Sequence, residues 1–125
     1  MLRKIIHSKI HMASVTAALP EYSGSITIDS ELLDACGLRT SDAVTVANCR
    51  TGARFETYVF RAPAGSRRVE VNGAAARLVE IGDRIIVLHY AYVDEREYRE
   101  FHPRVVLAHA DNSIERVLRY APDDA

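Results

Sequence analysis

The stretch YSGSITID, residues 22–29, sets a flexible, turn-forming pair, Gly24-Ser25, directly before Ile26, Thr27 and Ile28. Their alternation reads as the start of a strand. On the C-terminal side, Asp29 or Ser30 caps a short helix with Leu32 and Leu33 as its buried stripe and Gly37 as its stop. On the N-terminal side, RKIIHSKIHMASVTAA reads as one long broken strand or a bent pair. AVTVANC and ARFETYVF flank Arg50-Thr51-Gly52 as a hairpin, APAGS is a loop, and RRVEV runs into the Asn72-Gly73 turn. AAARLV is one helical turn, RIIVLHYAYV is the most apolar strand, and DEREYREF is a charged surface turn of helix. RVVLAHA is expected to be the last core strand, before a looser tail. Many short strands with few short helices point to a mainly β fold, a small closed barrel that removes exposed sheet edges.

The 125 residues allow one domain with a modest core. Sixteen basic against 17 acidic residues give a formal net charge of −1, which offers no electrostatic footprint for nucleic acid or an anionic membrane. No apolar run nears the roughly 20 residues that span a bilayer. Lys4, His7, Lys9 and His11 interrupt any signal-peptide core, so a cytoplasmic location is expected. Cys36 and Cys49 form no CxxC pair and the five histidines have no zinc spacing relative to them, so no metal is expected and the thiols read as reduced. Neither a glycine-rich phosphate loop nor a Gly-x-Ser-x-Gly motif is present.

Four features could carry chemistry, and each has a plainer reading. Gly24-Ser25 is first of all a turn. A serine hydroxyl held against the preceding carbonyl can also attack it, move the acyl group from nitrogen to oxygen, and cut the chain by elimination. Glycine before it brings no Cβ and tolerates strained dihedrals. In RFETY, a strand puts Arg54, Glu56 and Tyr58 on one side and Phe55 and Thr57 on the other. This is an ordinary amphipathic strand, or a guanidinium that grips a carboxylate beside a phenol that donates a proton. VNGAAA, Val71–Ala76, is a turn into a helical turn, whose free N–H groups and small side chains admit a ligand to the backbone. Lys9 is a cation among alternating apolar residues, which is usually a solvated strand position.

Taken together and in order, YSGS, RFETY, GSR, VNGAAA, GD before RIIVL, and a late HPRVV…DN resemble the bacterial pyruvoyl-dependent aspartate 1-decarboxylase family, from about Arg3 to about Ile114. One position departs: Ser23, where the family often carries an acidic residue. The resemblance implies a six-stranded double-psi β-barrel with short helices, assembled as a homotetramer with sites between subunits. It implies self-cleavage between Gly24 and Ser25, giving a β chain of residues 1–24 and an α chain of residues 25–125, with a host maturation factor as a further candidate partner. Ser25 would become a pyruvoyl cofactor, in place of pyridoxal phosphate or a metal. That ketone would form a Schiff base with L-aspartate and act as electron sink for its decarboxylation to β-alanine, a precursor of pantothenate. Matching positions make Tyr58 the proton donor and Arg54 a carboxylate clamp, with Lys9, Thr57 and the backbone of Gly73, Ala74 and Ala75 as substrate contacts. Thr57 would also polarise the Gly24 carbonyl during the cut, and Tyr22, Asn72 and Ala76 would line the site. The competing readings are an uncleaved, non-catalytic barrel acting as a binding or regulatory module, and a pyruvoyl decarboxylase for another substrate.

Overall fold

In a computed structural model, which describes residues 1–121, alternation along the chain becomes a single hydrogen-bonded sheet order. The strands are β1 (Arg3–Ser14), β2 (Ala17–Leu19), β3 (Ser25–Asp29), β4 (Ala43–Asn48), β5 (Arg54–Ala62), β6 (Val69–Asn72), β7 (Arg84–Val93), β8 (Arg104–Ala108) and β9 (Ile114–Arg119). They run in the order β2-β6-β3-β5-β4-β7-β1-β8-β9. Three pairs are parallel, β1 with β8, β2 with β6 and β3 with β5. The mainly β class expected from the sequence holds, but the described residues form nine strands rather than six. The three-residue β2 and the exposed β9 terminate the order. β9 corrects the expectation of a loose tail after RVVLAHA. Its residues are almost all exposed, so the strand is held by antiparallel pairing with β8 rather than by a buried face, and it carries little periodic signal. Residues 122–125, the end of that tail, lie outside the described residues.

One face of the curved sheet is the core. Ile10, Ile26, Ile28, Val46, Val59, Val69, Val71, Ile85 and Val87 are each at most 1% exposed and pack with Leu32 and Leu33 of helix α1 (Ser30–Cys36). Burying each such aliphatic side chain is worth about 1.5–3 kcal/mol. α1 ends as its sequence requires: the Asp29 carboxylate accepts from the Glu31 N–H at 2.9 Å, and Gly37 adopts φ +85°. The same carboxylate accepts from the N–H groups of Gly65 (3.1 Å) and Arg67 (2.8 Å), which fastens the 63–68 loop to the end of β3. A second helix, α2 (Glu95–Glu100), carries the full capping box of Asp94 and Glu97. The Asn72-Gly73 turn leads into a 3-10 helix, Gly73–Leu78. Cys36 and Cys49 are unpaired thiols; burial pushes Cys36 up to about 11. Among the described residues no helix is long and apolar enough to cross a membrane.

Candidate active site

Register decides which functional side chains meet. β3 is flanked by β6 on one side and β5 on the other, with Ser25 opposite Asn72 and Ile26 opposite Val59. Ile26 and Val59 both face the core, so Ser25, one step earlier, is level with Tyr58 on the opposite face. Ser25, Asn72 and Tyr58 therefore lie in one row across three neighbouring strands. Ser25 is 2% exposed and Asn72 is 8% exposed. The Asn72 side-chain N–H group (Nδ2) donates to Ser25 Oγ at 3.0 Å and to Thr27 Oγ1 at 3.2 Å. The serine oxygen is thus buried and held by an amide donor, in a setting where the usual turn serine is solvated. Tyr58 is 39% exposed and stands edge-on to Phe60 with ring centroids 5.5 Å apart.

Ahead of this row the chain makes the exposed Glu21–Gly24 turn. Gly73, directly after Asn72, has φ +79°, a conformation that disfavours any residue with a Cβ. A Cβ there would stand 2.7 Å from Gly24 Cα, 2.9 Å from Gly24 N and 3.3 Å from the carbonyl oxygen of Tyr22. The VNGAAA segment and the YSGS segment are therefore in backbone contact at the Gly24-Ser25 bond. A Cβ built on Gly24 meets nothing within 4 Å, so packing does not require glycine there. Thr57 belongs to the core-facing row of Phe55 and Val59, one residue before Tyr58 on β5. Ala74 is exposed, Ala75 half-buried and Ala76 buried, while Tyr22 is 65% exposed.

The two cations are placed elsewhere. Arg54 lies four residues before Tyr58 on β5, about 13 Å along the strand. It lines a cleft of about 430 Å³ with Lys4, Thr45, Phe55, Glu56 and Tyr90. Lys9 is on β1 and half-buried; from Glu56 the sheet crosses Thr45 and Leu88 to reach it, about 14 Å at the usual strand spacing. One chain therefore brings together Ser25, Asn72, Tyr58, Gly24 and Gly73, and leaves Arg54 and Lys9 on separate parts of the same outer sheet face. That face also carries Ala43, Ala47, Ile86 and Leu88, an apolar set for a surface.

Two residues stand in the site's surroundings in ways that the sequence motifs do not assign. Thr27 shares the Asn72 amide, and only the alternation Ser25-x-Thr27 hinted at it. His11 shares the face of Lys9, its Nδ1 buried with no hydrogen-bond partner among the described residues. Burial, then the charges of Lys9 and Arg84, hold its pKa below the ordinary histidine value. The signal available was the i, i+2 spacing of Lys9 and His11 in one strand. Among the described residues no group of three or more His, Cys, Asp and Glu side chains is placed to hold a metal ion.

A family model described as aspartate decarboxylase matches residues 1–115. Aspartate 1-decarboxylase of Sulfurimonas denitrificans is 47% identical over 118 residues, covering 94% of this chain and 98% of that protein. The enzyme of the same name from Phenylobacterium zucineum is 47% identical over 116 residues, covering 93% and 98%. Among solved structures, a rationally designed protein, mkDPBB_sym_86, superposes with a TM-score of 0.48 at 17% identity, covering 63% of this chain and 92% of that one. Relatives that align end to end at nearly half identity leave one conclusion: the chain belongs to the aspartate decarboxylase family.

Proposed function

We propose that this protein decarboxylates L-aspartate to β-alanine and carbon dioxide, after cutting itself between Gly24 and Ser25. The β-alanine would feed pantothenate synthesis in the cytoplasm. The observation that carries the reading is the buried Ser25 hydroxyl, held by Asn72 at 3.0 Å beside a bond that rests on Gly73. In the cut, Ser25 Oγ bonds to the Gly24 carbonyl carbon, the C–N bond breaks, and the hydroxyl proton passes to the freed nitrogen. Elimination then removes the Ser25 Cα proton and breaks the Cβ–Oγ bond, leaving a Gly24 carboxylate and a Cα=Cβ double bond at residue 25. Loss of ammonia to water turns the remaining dehydroalanine into a pyruvoyl group. Thr57, next to Tyr58 on β5, polarises the Gly24 carbonyl in this reading.

The residues fit such a group: the Ser25 position is enclosed, and the Asn72 amide donor faces its oxygen. Once formed, the pyruvoyl ketone supplies an electron sink for the departing carboxylate. The chain's own side chains do the rest. Arg54 grips a substrate carboxylate in two-point fashion, and Lys9 adds a second positive charge. Backbone N–H groups of Gly73, Ala74 and Ala75 touch the substrate, and Tyr22, Asn72 and Ala76 line the space around it. Tyr58, in the row of Ser25, returns a proton to the carbon that has lost carbon dioxide.

A single aspartate is too short to reach Tyr58, Arg54 and Lys9 at the spacings of one chain. That supports a site between subunits of a homotetramer, with the apolar outer sheet face as the contact. A maturation factor of the host is a further candidate partner for the cut. The test is to incubate purified protein with L-aspartate and to measure β-alanine and carbon dioxide. Equimolar release supports the reading, and none from a fully cut protein would leave a pyruvoyl decarboxylase for another substrate.

A further inference from the structure

We infer that Gly73 is the positioning residue for the cut: the glycine that the Gly24-Ser25 bond depends on for its geometry is Gly73, across the β3–β6 pair. The inference rests on the self-cleavage reading above. A Cβ on Gly73 would press on Gly24 Cα at 2.7 Å, Gly24 N at 2.9 Å and the Tyr22 carbonyl oxygen at 3.3 Å. All three are backbone atoms, so no side chain can swing aside to make room. Carbon atoms in contact settle near about 3.5–4.0 Å, so the Tyr22–Gly24 turn would have to retreat by about 1 Å.

Ser25 cannot follow that retreat. Its backbone is paired with Asn72, and its Oγ is held by the Asn72 amide. The displacement therefore falls on the bond between a fixed nucleophile and a moved carbonyl. A misplacement of about 1 Å between reacting atoms costs on the order of 100-fold in rate. The contact acts before the acyl group moves, because it sets where the Gly24 carbonyl lies while the peptide is intact.

The experiment follows cleavage of freshly purified precursor by denaturing mass spectrometry in the parental chain, Gly73→Ala and Gly82→Ala. Gly82 has φ +94° and open space where a Cβ would go, so Gly82→Ala imposes the left-handed strain without the contact. Each chain is assayed at a fixed interval below its own melting temperature, with and without hydroxylamine. Hydroxylamine attacks an ester at residue 24, releasing a Gly24 hydroxamate and the free serine hydroxyl. The expected result is parental cleavage for Gly82→Ala and cleavage slowed at least about 100-fold for Gly73→Ala, with no rescue by hydroxylamine. Gly73→Ala cutting within about tenfold of the parental rate would overturn the inference. So would rescue by hydroxylamine, which would place the block after the ester. A Gly73→Ala chain that does not melt cooperatively beside a Gly82→Ala chain that does would assign Gly73 to the fold and overturn it equally. A parental chain that never cuts sinks the self-cleavage reading itself, and the inference with it.

Discussion

Tyr58→Phe separates catalysis from packing more cleanly than any other substitution in the row of Ser25. Tyr58 is 39% exposed, and its ring meets Phe60 edge-on at 5.5 Å, a contact that phenylalanine keeps. Only the hydroxyl is removed, from a partly exposed position, so stability should change by no more than about 0.5 kcal/mol. For a domain of this size that is about 2 °C in melting temperature. The cut proposed at Gly24-Ser25 draws on Ser25, Thr57 and the backbone and not on the Tyr58 hydroxyl, so it should proceed. If Tyr58 is the general acid, β-alanine release should fall about 100- to 10,000-fold. That corresponds to about 2.7–5.4 kcal/mol of lost transition-state stabilisation. The assay is β-alanine formed per cut chain, with the fraction cut and the melting temperature measured on the same sample. A fully cut Tyr58→Phe protein that releases β-alanine at the parental rate would show that the proton comes from elsewhere.

If Arg54 clamps a substrate carboxylate, Arg54→Lys should cut normally but lose roughly 30- to 1,000-fold in kcat/KM for aspartate, because an ammonium cannot reproduce a planar two-point grip; near-parental turnover would remove Arg54 from the site. Asp83, 6% exposed, accepts from Arg50 Nε (2.6 Å), the Asn48 side-chain amide (2.8 Å) and the Glu80 N–H (2.9 Å), and should be a stability residue without a part in catalysis. An amide cannot accept from all of these donors, so Asp83→Asn should cost about 2–3 kcal/mol, read as a drop in melting temperature. Those hydrogen bonds, Arg50 first, hold the Asp83 carboxyl well below its usual range. Because the folded pKa is depressed, the contribution is present above the unfolded pKa and is lost as pH falls through the folded one. The gap between parental and Asp83→Asn melting temperatures should therefore be constant from about pH 5 to pH 8 and narrow below about pH 4; a gap unchanged in acid would mean the carboxylate's charge is not what matters.

The strands were legible where one face is buried. ITID alternates because the core takes every second residue, RIIVLHYAYV stands out as an apolar run, and both formed as expected. Asp29, Gly37 and Asp94 mark helix ends by local chemistry, which needs no tertiary information. IERVLR was missed because pairing with β8 holds it, and backbone pairing leaves no trace in side-chain pattern. The Ser25–Asn72 hydrogen bond depends on the register of two strands 47 residues apart, which no local window contains. For the same reason the sequence shows Gly24 beside the serine but not which glycine packing demands. The structure places the demand at Gly73, where a different part of the chain comes into backbone contact. Arg54 and Lys9 were grouped with Ser25 by resemblance, while the fold of one chain holds them apart.

Everything proposed for this chain depends on its making a reactive group from Ser25. Denaturing mass spectrometry of the purified protein, after prolonged warm incubation with any host maturation factor supplied, tests it most directly. Two fragments are expected, residues 1–24 and residues 25–125, the larger lighter by one ammonia than the same fragment beginning with serine. A chain that stays intact, or a large fragment that begins with an unmodified serine, would contradict it.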